Sequence, residues 1–297
     1  MTDSFKPLSP QRQAHAEGVI WDDLANVVRW TDIATSHLYA YDPATGHVSE
    51  AKLPARVCCF ALTQEKGVLL LALEKQVALY DTRDGVLEVL EDIEPDIPGT
   101  RANDGRCDRA GNLVFGTLNE KGPEKIASFW RYTHDRRLHR LALPKAAITN
   151  SICFSPDGGT MYYTDSPTAQ IMACDYDAAR GEVDRIRVFT ELRKGMEPDG
   201  STIDADGFLW NAEWGASRVV RYAPDGTIDT TIELPARQPS CVTFAGPALD
   251  RMVITSAFKY IDEAVLEDEP INGAIFIGTP PRGHGIPEAR YGLKVSA

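Results

Sequence analysis

The 297-residue sequence lacks an excess of positive charge, because 31 Lys and Arg face 43 Asp and Glu for a formal net charge of −12. This balance argues against nucleic acid or an anionic membrane surface as a partner, since the bulk charge attracts neither. Long apolar segments are also missing, and the longest run, 67–73, falls far short of the ~20 residues that span a bilayer. Residues 1–13 are charged and lack the apolar core of a secretory signal. We therefore expect a soluble, cytoplasmic protein.

Paired cysteines, amphipathic helices and a nucleophile elbow are likewise scarce or missing. The six cysteines form no C-x-x-C pair and no Cys/His zinc pattern. Since free cysteine behaves as a small apolar residue, we expect buried, reduced thiols and no catalytic thiol. Only 262–268 has a mild helical pattern, within an acidic stretch expected to be solvated. No G-x-S-x-G motif of a serine hydrolase is present.

What the sequence does contain is a series of short strand-like runs. The runs 113–117, 161–164 and 208–212 are rich in β-branched and aromatic residues and lie between Gly, Asp, Asn and Pro turns. This pattern predicts an all-β fold.

A common frame of polar start, apolar run, turn and second strand recurs along the chain, most clearly in 150–181 and 199–226. A repeat of roughly 45 residues with four strands is typical of a β-propeller. A β-sandwich would also have short strands but does not require a repeated frame. We therefore predict a six-bladed β-propeller with four-stranded antiparallel blades around a central channel, as one domain over 1–297. The predicted repeat units are approximately 17–56, 57–102, 103–149, 150–198, 199–238 and 239–297, with the terminal segments closing the ring.

Polar residues recur where first strands begin and where second strands end, and in a propeller these positions share one mouth of the channel. The strand starts supply Glu17, Asn103, Asp104, Asn150 and Asp199, and the second-strand loops supply Asp32, 119–125, Asp165, Ser166 and Trp214. Because Glu17, Asn150 and Asp199 fall in one register of the frame, we expect them to point toward one axis. Two carboxylates and an amide suit Ca²⁺, Mg²⁺, Mn²⁺ or Zn²⁺, with coordination positions left for water or substrate.

Simpler interpretations apply to several of these acidic residues. Asp157, Asp206 and Asp225 each precede a glycine and are expected to form turns. Asp104 fits either a turn or a residue that supports the site. Asp165 fits either a ligand or a loop-fixing acceptor of backbone hydrogen bonds, and we favour the second interpretation.

Five elements resemble, in order, those of the family that includes gluconolactonases, regucalcin (senescence marker protein) and luciferin-regenerating enzyme. They are E-G-V-I-W at 17–21, R-A-N-D-G at 101–105, N-S-I-C-F-S-P-D-G at 150–158, P-D-G at 198–200 with D-G-F-L-W-N-A at 206–212, and P-S-C-V-T-F at 239–244. The resemblance spans residue 17 to about residue 257. It departs from the family pattern at His15-Ala16, where Leu-Gly is usual, and at Ser151, where glycine is usual.

The resemblance implies a six-bladed propeller that holds one divalent metal cation through Glu17, Asn150 and Asp199. The cation is Ca, Zn, Mn, Mg or Fe, which the sequence does not distinguish. It also implies that Asp199 acts as proton donor and acceptor.

For the substrate, the resemblance implies contacts from Arg101 and Asn103. A glutamate that contacts substrate in some relatives falls at Glu120 or Lys121. We expect Asp104, Asp165 and Trp214 to contact and position the residues that bind the metal and the substrate.

These expectations describe a metal-dependent hydrolase that opens a sugar-acid lactone to the free acid. The cation would act as a Lewis acid on the ring carbonyl, and Asp199 would supply general-base and general-acid chemistry. The substrate is either a neutral aldonolactone or a carboxylate-bearing aldarolactone, which basic loop residues would attract, namely Arg101, Lys121, Lys125, Arg193 and Lys194.

Two alternatives remain from other classes. One is a non-catalytic metal-binding or protein-interaction propeller. The other is a hydrolase of other esters or organophosphates at the same metal. For the lactonase itself we expect a small-molecule sugar lactone as partner and no nucleic acid or membrane. We expect the protein to be a monomer or weak homo-oligomer.

Overall fold

The computed structural model describes residues 5–292, which form six four-stranded antiparallel sheets. Five sheets use four consecutive strands, and in the sixth the first strand of the described range lies beside the last strand of that range. This architecture is a six-bladed β-propeller, so the predicted fold class is confirmed. No helix in the described range is long and apolar enough to cross a membrane.

Each sheet is built from a first to a fourth strand in a fixed order. The first strands are β2 (Ala16–Asp22), β6 (Val57–Leu62), β10 (Thr100–Cys107), β14 (Thr149–Phe154), β18 (Glu197–Ile203) and β22 (Pro239–Ala245). The second strands are β3 (Val27–Asp32), β7 (Val68–Leu73), β11 (Leu113–Asn119), β15 (Thr160–Asp165), β19 (Leu209–Trp214) and β23 (Arg251–Ser256). The third strands are β4 (His37–Asp42), β8 (Gln76–Asp81), β12 (Phe129–Tyr132), β16 (Gln170–Asp177), β20 (Arg218–Tyr222) and β24 (Phe276–Gly278). The fourth strands are β5 (His47–Lys52), β9 (Leu87–Asp92), β13 (Leu138–Arg140), β17 (Glu182–Glu191), β21 (Ile228–Glu233) and β1 (Phe5–Pro7).

Burial decreases from the first strand of a blade to the fourth. Every residue of β6 and β14 is buried, whereas β5 and β9 contain only exposed and half-buried residues. A strand that is covered on both faces needs no polar alternation. This explains the continuous apolar runs that mark the first and second strands in the sequence.

The chain divides into two compact units, and within residues 5–292 each unit contains three sheets. The first unit comprises the chain up to Arg56 together with Leu192–Pro287, and the second comprises Val57–Glu191 together with the chain from Glu288. Trp210, Phe244 and Phe276 pack in the core of the first unit. Phe129, Phe154 and Tyr163 pack in the core of the second. The single-domain assignment over 1–297 stays a prediction, and its two end points lie outside the described residues.

Local predictions about cysteines, helix and turns are confirmed. All six cysteines fall within the described residues and are free and buried. The mild helical pattern corresponds to α1 (Glu263–Asp268), which buries no residue. Asp157 Oδ1 accepts from the Gly159 N–H at 3.0 Å and Asp225 Oδ1 from the Thr227 N–H at 3.0 Å, as expected of turn residues.

Each first strand in the described chain carries a β-bulge near its start. In β2 and β14 the irregularity follows Glu17 and Asn150. The next residues, Gly18 and Ser151, both have φ near +59°. Glu17 and Asn150 therefore occupy the same position relative to their bulges.

In β10 and β18 the bulge begins one residue earlier relative to the polar side chain. The irregular segments there contain Asn103 and Asp199, neither of which has a positive φ. Asn103 and Asp199 thus share one position, and Glu17 and Asn150 share the position before it. The expectation that Asp199 has the register of Glu17 and Asn150 is wrong by one residue, because the extra residue of a bulge is not visible in the repeat frame.

The start of β10 also differs from the predicted repeat boundary between residues 102 and 103. β10 begins at Thr100, so Arg101 and Asn103 lie on the same first strand. Arg101 and Asn103 therefore belong to the same blade, where their side chains can contact each other.

Buried Asp–Arg pairs recur where first strands end. Asp22 pairs with Arg29 at 2.9 Å, and Asp204 pairs with Arg221 at 2.7 Å. The Asp204 carboxylate is fully buried and also accepts from Trp210 Nε1 at 3.0 Å. Such a pair ties the turn after the first strand to the strands beside it.

We expect Arg221→Met to lower the free energy of unfolding by about 3 kcal/mol, because it leaves a buried carboxylate without its cation. Arg83→Met is the matched control, since the Arg83 ion pair with Glu65 is more than half exposed, and its cost should be within about 1 kcal/mol. Urea unfolding of both variants measures the difference. Equal losses would contradict a structural role for the buried pair.

Ser151 is the residue at which a bulge forces an unfavourable backbone conformation. A left-handed φ costs a non-glycine residue roughly 1 kcal/mol, and both glycine and alanine remove the hydroxyl. We therefore expect Ser151→Gly to be more stable than Ser151→Ala by about 1 kcal/mol. Thermal and urea unfolding of the pair measure this, and an alanine variant at least as stable as the glycine variant refutes it.

Candidate functional site

A series of hydrogen bonds joins three of the predicted site residues in the second unit. Arg101 Nη1 donates to Asn103 Oδ1 at 2.8 Å, and Asn103 Nδ2 donates to Asn150 Oδ1 at 2.8 Å. The exposed fractions of these residues are only 6–7%. The structure thus brings together Arg101, Asn103 and Asn150, for which the sequence predicts substrate and metal contacts.

The Asn150 amide is held from both ends. Its Nδ2 donates to Ser166 Oγ at 3.0 Å, while its Oδ1 accepts from Asn103. Asn103 Nδ2 also donates to the Thr149 carbonyl at 2.8 Å. Because a carbonyl oxygen has two lone pairs, Asn150 Oδ1 retains one for a further partner. Ser166 appears in the sequence analysis only as a loop residue, and its contact follows from the tight connection after β15.

Arg101 lies among acceptors on three sides. Nη1 donates to the Ala102 carbonyl at 2.8 Å and approaches Cys58 Sγ at 3.8 Å, while Nε forms an ion pair with Glu120 Oε1 at 3.3 Å. Sequence reasoning missed Cys58. It occupies the bulge of β6, the position in its blade that Asn103 occupies in β10, and this alignment could have identified it.

Glu120 and Lys121 follow β11 but have different surroundings. The Glu120 side chain is 36% exposed and faces the Arg101 guanidinium. The Lys121 stem lies against Gly99, where an added Cβ would be 2.6 Å from Lys121 Cδ. Of the two predicted candidates, the structure therefore brings Glu120 to Arg101.

Two carboxylates of the second unit accept backbone hydrogen bonds. Asp104 Oδ2 accepts from the Ile152 N–H at 2.8 Å, and burial raises the pKa of the Asp104 carboxyl. Asp165 Oδ1 accepts from the N–H groups of Ala147 and Ile148 at 2.9 and 3.1 Å. Asp104 links β10 to β14, and Asp165 fixes the loop that leads into β14.

The first unit holds the two buried candidate carboxylates. Glu17 is 6% exposed and Asp199 is 5% exposed. Glu17 Oε2 accepts from the Gly18 N–H at 3.0 Å, and the Asp199 carbonyl accepts from Asn211 Nδ2 at 2.8 Å. The ring of Trp214 lies 5.5 Å from that of His15, between centroids.

The chemistry of these donors fits a divalent cation that prefers oxygen. Glu17 and Asp199 offer buried carboxylates and Asn150 an amide oxygen, with no thiolate or imidazole among them. Within residues 5–292 no group of three or more His, Cys, Asp or Glu side chains is arranged to hold a metal. The predicted ligand set is not a group of this kind, because only two of its three members, Glu17 and Asp199, are carboxylates and the third is the Asn150 amide.

Comparison with known proteins gives a consistent result. The model of the SMP-30/Gluconolactonase/LRE-like region matches residues 15–258. L-arabinolactonase of Azospirillum brasilense is 40% identical over 287 residues, which cover 96% of this chain and 94% of that protein. 6-deoxy-6-sulfogluconolactonase of Pseudomonas putida is 31% identical over 278 residues, or 93% and 94% of the two chains.

A solved structure extends this similarity to the fold. The crystal structure of a calcium-binding protein, regucalcin, from Agrobacterium tumefaciens has a TM-score of 0.93 with this chain, at 31% identity and over 98% of both chains. The matched region contains each of the five motifs that carry the resemblance seen in the sequence. The chain therefore belongs to the SMP-30/gluconolactonase/LRE-like family.

Proposed function

We propose that this protein is a hydrolase that opens a sugar lactone to the free acid with a divalent cation held by Glu17, Asn150 and Asp199. The observation that carries the proposal is the buried series of hydrogen bonds from Arg101 through Asn103 to Asn150. It aligns donors suited to sugar oxygens directly beside a proposed metal ligand. An interaction propeller has no need for such a buried polar series.

The relatives support the substrate class and the cation. Two of them are named for the hydrolysis of sugar lactones, L-arabinolactonase and 6-deoxy-6-sulfogluconolactonase. The solved structure is described as that of a calcium-binding protein. Oxygen ligands of this kind accept several divalent metals.

The proposed mechanism assigns each residue one task. When bound, the cation supplies Lewis-acid polarisation of the lactone carbonyl. Arg101 donates hydrogen bonds to substrate oxygens, and Asn103 orients both Arg101 and Asn150. These contacts hold the lactone in one orientation and so lower the entropic cost of reaction.

Asp199 transfers the proton in this mechanism. Its carboxylate accepts a proton from the attacking water as the new carbon–oxygen bond forms. The bond between the carbonyl carbon and the ring oxygen then breaks, and Asp199 returns the proton to the departing ring oxygen. Water is added overall, so the products are a carboxylic acid and a free hydroxyl group.

We expect Asp199→Asn to lower kcat for lactone hydrolysis by roughly 10²–10⁴-fold, because an amide cannot accept the proton. Asp225→Asn is the matched control, since it removes an exposed turn carboxylate of the same unit and should leave kcat within about twofold. Assays with a lactone panel, aryl esters and an organophosphate measure both variants. Undiminished lactonase activity of Asp199→Asn would exclude the mechanism, and preference for the esters would favour the alternative hydrolase.

We also expect divalent cations to stabilise the chelator-treated protein against heat. Binding to the folded state alone adds about 2.7 kcal/mol at 100 Kd. The shift in Tm should disappear in Glu17→Gln and persist in Glu233→Gln, which alters an exposed residue of β21. Calorimetry with Ca²⁺, Mn²⁺ and Zn²⁺ in turn measures this without reference to activity. A full shift in Glu17→Gln would remove Glu17 from the ligand set.

A further inference from the structure

We infer that Glu120 makes the Arg101 end of the site selective for a neutral aldonolactone over a lactone that carries a carboxylate. The inference rests on the proposed function and narrows its substrate class. It is drawn from the surroundings of Arg101 within the second unit.

The Arg101 guanidinium is buried, fixed and balanced in charge. Its side chain is 8% exposed, and Glu120 Oε1 lies 3.3 Å from Nε. Nη1 is occupied by the Ala102 carbonyl and Asn103 Oδ1. The contact with Glu120 is an ion pair and not a hydrogen bond, because Nε has no hydrogen-bond partner among the described residues. Since a guanidinium carries five N–H donors, Arg101 can donate to a sugar oxygen while its positive charge is already compensated.

A neutral hydroxyl and a carboxylate are not equivalent ligands for such a guanidinium. A hydroxyl gains a hydrogen bond from the guanidinium at little electrostatic cost. A ligand carboxylate there would share the guanidinium with Glu120, well inside the Debye length of about 10 Å at 0.1 M salt. Because Arg101 is largely desolvated, water screens this repulsion only in part. The arrangement therefore discriminates against the anionic ligand through charge repulsion by Glu120.

Two lysines of the second unit, Lys125 and Lys145, are engaged by oxygens of the protein. Lys125 Nζ lies 3.0 Å from Asp165 Oδ2, and Lys145 Nζ donates to the Ile126 carbonyl at 2.7 Å. The stem of Lys121 packs on Gly99. Of the basic residues that favour an aldarolactone, Lys125 is therefore already paired with a carboxylate of the protein.

The position of Glu120 is set by the backbone. Its N–H donates to the Gly99 carbonyl at 2.8 Å, which holds the end of β11 next to the start of β10. Glu120→Gln keeps the size and shape of the side chain beside Arg101 Nε and removes its charge. The substitution therefore tests charge separately from the placement of Arg101.

The test compares gluconolactone, which ends in a hydroxymethyl group, with glucarolactone, in which that group is a carboxylate. We expect wild-type protein to have the higher kcat/KM for gluconolactone. Glu120→Gln should raise the glucarolactone-to-gluconolactone ratio of kcat/KM about tenfold. Increasing salt should narrow the preference of the wild type and have less effect on the variant.

Glu124→Gln is the matched control, because it removes an exposed carboxylate from the same loop, where Oε2 lies 3.4 Å from Asn119 Nδ2. It should leave the ratio unchanged. An unchanged ratio in Glu120→Gln, or an equal change in Glu124→Gln, overturns the inference and leaves the lactonase proposal standing. Wild-type protein that hydrolyses neither lactone, nor any lactone of the panel, overturns the proposed function and this inference with it.

Discussion

The β-bulge near the start of each first strand is the constraint on which the candidate site depends. In a regular strand, residues one position apart face opposite sides of the sheet. Asn103 and Asn150 occupy different positions relative to their bulges, yet their side chains meet at 2.8 Å. The bulges change the direction of the side chains locally and so allow residues from different positions to converge. This is a common use of bulges near functional sites.

The same bulges require close packing of neighbouring first strands. An added Cβ on Gly105 would lie 2.8 Å from Cys59 Sγ, and one on Gly200 would lie 2.6 Å from Cys241 Sγ. Glycine is needed at both positions for lack of space. Cys59 and Cys241 are thus part of the packing beside the bulges of β10 and β18.

Much of the fold could be predicted from the sequence, because turns and buried strands repeat with a regular period. The residue types of the candidate site could be predicted as well. The one-residue offset of Asp199 could not, since a bulge adds a residue without a change in composition. The pairing of Glu120 with Arg101 was also inaccessible, because it depends on how the loop after β11 folds back toward β10. The sequence pattern predicts where strands and turns lie, whereas a contact between a loop and a strand can be identified only in the three-dimensional structure.

The sixth sheet has a consequence for the order in which the protein folds. In this sheet Phe5 of β1 pairs with Gly278 of β24. The outermost strand of the sheet therefore comes from early in the sequence and the third strand from late in the sequence. Contacts between distant segments slow folding, because closing a long loop loses entropy before any bond is gained. On the ribosome β1 emerges long before β24, the strand with which it pairs. Until β24 has emerged, β1 remains an unpaired strand, which is the kind of segment that molecular chaperones protect.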